Sequence, residues 1–175
     1  MKDKVLLIDI FAGLTANNEA VVEQVKAIKR EVDSYELISS PGLALNLAKG
    51  DWVKNMPASS PAKITKRGGR VCIHIYFNGD QRFSDEEIVN IDVGLMKISA
   101  SMDGLNLHGG SFSIPAIVGF TAIETYFNQL EKDMHGVWYY ANIYQGDGIT
   151  PLNWWLDYGV DDVPLRNAIW SSELH

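Results

Sequence analysis

The sequence predicts an α+β protein: a β-rich N-terminal module over residues 1–62, a βαββαβ unit over residues 70–145, and a C-terminal extension over residues 146–175 docked on it. Three observations predict this. Between residues 70 and 145 apolar residues alternate with period two in some segments and recur at helical spacing in others. The 175 residues, 46% hydrophobic and 21% charged, suffice for one domain or two small subdomains sharing a core. The formal charge of −7 divides at the same place as the pattern: residues 1–70 carry 11 bases and 8 acids, residues 71–175 carry 4 bases and 14 acids.

The elements follow in order. Lys4 to Phe11 is β-branched and aliphatic and predicts a strand, closed by a loop over Gly13 to Asn18. Residues 19–33 stay open: Val21, Val25, Ile28 and Val32 fit a helix, but a strand with a turn at Val32-Asp33-Ser34 and a second strand at Tyr35 to Ser39 fits too. Pro41 ends the element before it, and Trp52-Val53 follows a Gly50-Asp51 turn as a short strand. Residues 55–69, with two prolines, two glycines and three bases, predict a linker or long surface loop. Its basic end, Lys63 to Arg70, reads as solvated loop before phosphate patch.

Val71, Ile73, Ile75 and Phe77 then alternate with Cys72, His74 and Tyr76, which predicts a strand with one strongly apolar face. Ser84 and Glu87 form a capping box ahead of a helix whose stripe is Ile88, Ile91, Leu95 and Ile98, stopping near Asp103-Gly104. A hairpin is expected from Leu105–His108 and Ser111–Ile114 about Gly109-Gly110. A second helix, Val118 to Met134, buries Ile123, Phe127 and Leu130; a last strand, Val137 to Tyr144, puts Trp138, Tyr140 and Tyr144 on one side, with Tyr76 expected on the same aromatic face. This β-α-β-β-α-β order is the ferredoxin-like arrangement, whose helices cover one sheet face and leave the other for solvent, the N-terminal part or a partner. The extension lacks periodicity but holds Trp154, Trp155, Tyr158 and Trp170, so it should be anchored.

Several functions lose ground at once. A C-terminal part this acidic repels phosphate backbones, so direct nucleic-acid binding is not expected and a basic protein partner is favoured. No stretch approaches the length of a membrane span, and the N-terminal apolar run is interrupted by Asp9, so neither membrane nor signal segment is expected. The one cysteine, Cys72, sits in a β-branched run and reads as a packing residue. Cytoplasmic residence is the expectation.

Val22-Glu23, Ala27, Tyr35, Pro41, Leu47 and Gly50-Asp51-x-Val53 resemble the signature of a bacterial family of small uncharacterised proteins that place a β-rich module before a ferredoxin-like half. The family's commonly aromatic position before the alanine is Lys26 here. Ser113-Ile114-Pro115, a helix, then Gly136-Val137-Trp138-Tyr139-Tyr140 is similar in kind. The resemblance implies strand for residues 21–30 and brings no catalytic residues. In size, charge and general character the chain also resembles immunity proteins of bacterial contact-dependent growth-inhibition systems, small cytosolic antidotes made by the cell that deploys the toxin.

Candidate chemistry is sparse. His74, His108, His135 and His175 include no i, i+4 ligand pair, and no CxxC accompanies them. His108-Gly109-Gly110 lacks any G-x-S-x-G partner and reads as a hairpin turn. No phosphate-cradling glycine loop occurs, and no metal or cofactor is expected. Asp157, Asp161 and Asp162 beside Trp154, Trp155 and Tyr158 are aromatic anchors ringed by charge, the pattern an interface uses; the competing reading is that the rings pin the tail, and one ring in and one out would suit adjacent residues. Asp85 and Glu86, which also favour a helix N-terminus, are the second acidic candidates. The function expected is non-enzymatic: an immunity protein binding a cognate basic toxin, a nuclease by preference, with these acids standing in for phosphates. A ligand-binding regulator or small enzyme with a pocket between the subdomains is the alternative.

Overall fold

A computed structural model describes residues 3–54 and 56–166. It is mixed α/β, with two antiparallel sheets and two α-helices. The first sheet has strand order β1-β2-β3-β4-β5: Val5–Leu14, Ala20–Glu31, Ser34–Leu37, Trp52–Lys54 and Lys63–Lys66. Residues 20–31 are therefore a strand, because Val25 and Ala27 on alternate positions bury against Ile8, Ile10 and Leu37 and leave Gln24 and Lys26 in water. The Val32-Asp33 turn holds, with Asp33 at φ 57°.

The second sheet has order β7-β8-β6-β9, with β6 at Arg70–Phe77, β7 at Ser101–Leu105, β8 at Gly109–Pro115 and β9 at Gly136–Tyr140. Helix α1 (Asp85–Met96) joins β6 to β7, and α2 (Phe120–Asp133) joins β8 to β9. The capping box forms: Ser84 Oγ accepts from Glu87 N, and the Glu87 carboxylate accepts from Ser84 N at 2.8 Å. Both helices cover one face of this sheet, on a core of Val71, Ile73, Ile75, Phe112, Ile114 and Trp138. The opposite face, with Cys72 and His74, meets the connector of residues 38–51, which lies between it and the first sheet.

Four expectations need correction. Residues 55–69 are not all loop, since Lys63–Lys66 pairs with β4 as the edge strand of the first sheet; Ile64 opposite Val53 supplies the apolar contact that the prolines hid. Helix α1 stops at Met96, with Ser99 at φ 54°, and Asp103-Gly104 is a bulge in β7 and not a helix stop. The hairpin turns at Asn106–His108, where Asn106 Oδ1 accepts from His108 N and Gly109 N, so Gly109 and Gly110 are strand residues. Strand β9 ends at Tyr140, and Tyr144 bridges to Pro151 in a separate turn.

Candidate functional site

A groove of about 520 Å³ opens between the two halves. One wall is β2 from Glu23 to Lys26 with connector residues Ser39 to Leu43; the other is β6, β8 and the β7–β8 turn, including His74, Tyr76, Leu105 and Ser111. Strand alternation explains the second wall. The odd residues of β6 go to the helical core, so His74 and Tyr76 must face the connector.

His74 is buried and bonded at both nitrogens: Nε2 lies 2.8 Å from the Pro41 carbonyl and Nδ1 3.0 Å from the Tyr139 hydroxyl. A carbonyl only accepts, so Nε2 carries a proton and the neutral ring accepts at Nδ1. Burial pushes the imidazole below its ordinary range, against the pull of the Pro41 carbonyl and Glu23. Tyr139 stacks on Tyr76 with centroids 5.7 Å apart and hydroxyls 3.3 Å apart; burial raises its phenol far above the usual range. Ser111 stands opposite His74 in the ladder, but its hydroxyl lies 3.5 Å from the Ser40 carbonyl. With both imidazole nitrogens taken, these residues form no nucleophile–base pair.

The groove's two carboxylates are spent on the connector. Glu23 accepts from the amides of Gly42, Leu43 and Ala44 at 2.6, 2.9 and 3.1 Å, and Asp103 accepts from Ser40 N at 2.9 Å. Residues that carry the family resemblance, Glu23, Pro41 and Asp51, thus latch the connector in place. Among the described residues no cluster of three His, Cys, Asp or Glu could hold a metal.

The C-terminal candidates are placed differently from expectation. Trp154 and Trp155 are both buried, not one in and one out. Trp155 packs edge-on to Phe120 at 5.1 Å, and Trp154 Nε1 donates to the Asn142 carbonyl at 2.7 Å. A 3-10 turn over Trp154–Tyr158 replaces the extended chain that would have split the two rings. Tyr158 is partly exposed, but its hydroxyl donates to the Arg67 carbonyl at 2.6 Å. Asp162 accepts from Thr121 N at 3.2 Å, capping α2, whose N-cap is Gly119. Asp157 and Asp161 are exposed, as are Asp85 and Glu86 in the first turn of α1. The two acidic groups are not brought together: α1 follows the Phe77 end of β6, and α2 begins beside Arg70 at the other end. Trp170 and His175 lie outside the described residues.

Two further expectations fail here. Tyr76 is not on the face of Trp138 and Tyr140; it lies on the opposite face with Tyr139, because it is even-numbered in β6. The basic run Lys63–Arg70 is partly internal: Arg67 pairs with buried Asp51, and Arg70 donates to the Ser113 carbonyl at 2.8 Å. The His74–Tyr139–Tyr76 chain was absent from the candidates, although the period-two pattern that puts Ile73 and Ile75 inward already turns His74 outward.

The chain is thus a mixed α/β fold of two antiparallel sheets and two helices with a groove between its halves. The chain belongs to a family described as a domain of unknown function, DUF4265, whose model matches residues 23–140. The crystal structure of a hypothetical protein from Neisseria gonorrhoeae is similar in fold: TM-score 0.55, 13% identity, over 81% of this chain and 95% of that one. No curated protein matches the chain. Among the described residues no helix is long and apolar enough to cross a membrane.

Proposed function

We propose that this chain is a binding protein of the immunity type, which neutralises a cognate basic toxin, a nuclease by preference, through its acidic half. One observation carries the reading: the carboxylates of Asp85, Glu86, Asp157 and Asp161 are exposed, and none has an ion-pair or hydrogen-bond partner among the described residues. Carboxylates not spent on the fold are available to steer a cationic surface and to occupy the place of substrate phosphates. The strand order of the second sheet, with two helices on one face, supports a ferredoxin-like arrangement for residues 70–145. Such an antidote would act in the cytoplasm, where its toxin does. The test is co-expression with the basic C-terminal domain of a large secreted protein encoded beside its gene. A complex at low salt with protection of the cell supports the reading; neither complex nor protection overturns it.

The groove favours a second reading, a small-ligand regulator, because its about 520 Å³ are lined by Leu43, Leu105 and Tyr76 as well as His74. A thermal-shift screen of small metabolites on the chain and on Leu43→Trp tests it. Compounds that stabilise the chain but not the filled variant support it.

A further inference from the structure

Helix α1 has more apolar surface than its own sheet uses. Ile91 and Leu95 are buried, and Ile98 beyond the helix end packs on the same core. Val89, Val93 and Met96 form a second stripe at i, i+4 and i+7, and are 58%, 49% and 74% exposed. This stripe does not face α2. The α1 residues that line the cleft toward α2 are Glu87, Asn90, Ile91 and Gly94, and on a helical wheel Val89, Val93 and Met96 lie on the far side of these. The stripe therefore looks out past the edge of the helical layer, on the side of β7, the edge strand that α1 packs against. A helix that buries one apolar stripe and exposes another lacks a neighbour for the second.

The charges beside the stripe say which neighbour. Helix α1 carries Asp85, Glu86, Glu87 and Asp92 against a single base at its C-cap, Lys97. Asp85 and Asp92 fall beside the stripe on one flank and Glu86 on the other. A second copy of this chain would bring acid onto acid, at a cost in repulsion. An apolar stripe with an acidic rim is instead complementary to a helix with apolar residues on one side and lysine or arginine along its borders.

Resting on the partner-binding reading above, we infer that the partner docks a cationic amphipathic helix along Val89, Val93 and Met96, beside α1, and does not dock at the C-terminal aspartates. In that position the partner supplies a third helix to a two-helix layer. Its basic borders meet Asp85, Glu86 and Asp92, while its apolar side covers the two valines and the methionine.

The test measures fluorescence anisotropy of two labelled helical peptides on the full chain at low salt. One alternates leucine and lysine at helical spacing; its match replaces lysine with glutamate. The inference expects the lysine peptide to bind and the glutamate peptide not to. Val89→Ser/Val93→Ser, at exposed positions that should leave the melting curve unchanged, should weaken the lysine peptide roughly tenfold, about what losing 1.4 kcal/mol does. Asp157→Asn/Asp161→Asn, which removes steering charge but no contact on α1, should weaken it less than the valine variant does. Binding indifferent to the valines overturns the α1 assignment, and if it is the aspartate variant that loses binding, the partner reading stands on another surface. No binding of the lysine peptide at low salt overturns the α1 assignment and leaves the partner reading to the co-expression test.

Discussion

The Arg67 guanidinium donates to the Asp51 carboxylate at 3.1 Å, and the carboxylate side chain is only 1% exposed. Asp51 also accepts from Ala48 N and Gly68 N at 3.0 and 2.8 Å, while Arg67 donates to the Asn46 carbonyl at 2.8 Å and lies over the Trp154 ring. This pair joins the connector, the end of the first sheet and the C-terminal segment. Burial opposes the charge on both partners, raising Asp51 and lowering Arg67, and their mutual attraction and backbone bonds counter it. Removing one partner strands the other charge. Arg67→Ala should therefore cost about 3 kcal/mol in urea unfolding, and a change below about 0.5 kcal/mol would contradict this role, being what a surface position gives.

Beside that pair, Gly68 packs on Gly50 so closely that a Cβ would lie 2.3 Å from the Gly50 carbonyl carbon. Both neighbours are backbone, so no side chain can swing away. Gly68→Ala should destabilise the chain by more than the ordinary benefit, ~0.4–1 kcal/mol, that alanine brings through the unfolded state. A thermal melt that rises in the variant would contradict the packing.

His74 makes stability depend on pH. Its imidazole is held neutral below its ordinary pKa of 6.5, so the unfolded chain binds a proton that the folded one refuses. Its contribution is full above that pKa and falls as pH drops from 6.5 toward the lower folded value. His74→Gln should lower stability at neutral pH and flatten the slope of unfolding free energy below about pH 6.5. An unchanged slope would mean the proton is taken up elsewhere.

Trp155 serves the core. It is 1% exposed and packs on Phe120, so Trp155→Ala should cost about 3–5 kcal/mol in unfolding, as core aromatics do. Any folded fraction of the variant should bind a basic partner as tightly as the parent. A selective loss of binding with stability intact would restore the ring to an interface.

Cys72 is fully buried, and burial drives its thiol pKa well up. Its labelling by a thiol reagent should be slow in the native chain and complete in denaturant. Rapid native labelling would show that the connector opens.

The second sheet was the legible half of the sequence, since its alternation in Val71 to Phe77 and its Ser84–Glu87 cap are local patterns that tertiary structure respects. Apart from the end of β9, the misplaced boundaries share a cause: glycine and proline do not say which irregularity they serve. Gly104 marks a bulge, not a helix stop, and Pro57 and Pro61 precede an edge strand, not open loop. Residues 20–31 repeat apolar residues at spacings that suit either a strand or a helix, and only pairing with β1 decides between them. The site was less legible. Trp154 and Asp162 look like an exposed interface in sequence, but their roles come from Asn142 and Thr121, 12 and 41 residues away. The exposed stripe of α1, Val89, Val93 and Met96, lies outside the Ile88, Ile91, Leu95 and Ile98 stripe that helical spacing picks out.

The proposed docking of a basic partner on the outer side of α1 is open to direct measurement. The direct measurement is an amide NMR titration of the labelled full chain with the leucine–lysine helical peptide. Shifts should concentrate from Asp85 to Met96 and weaken as salt rises from about 0.1 M to about 1 M and the Debye length falls from ~10 to ~3 Å. Shifts confined to Leu43, Tyr76 and Leu105 around the groove would contradict it.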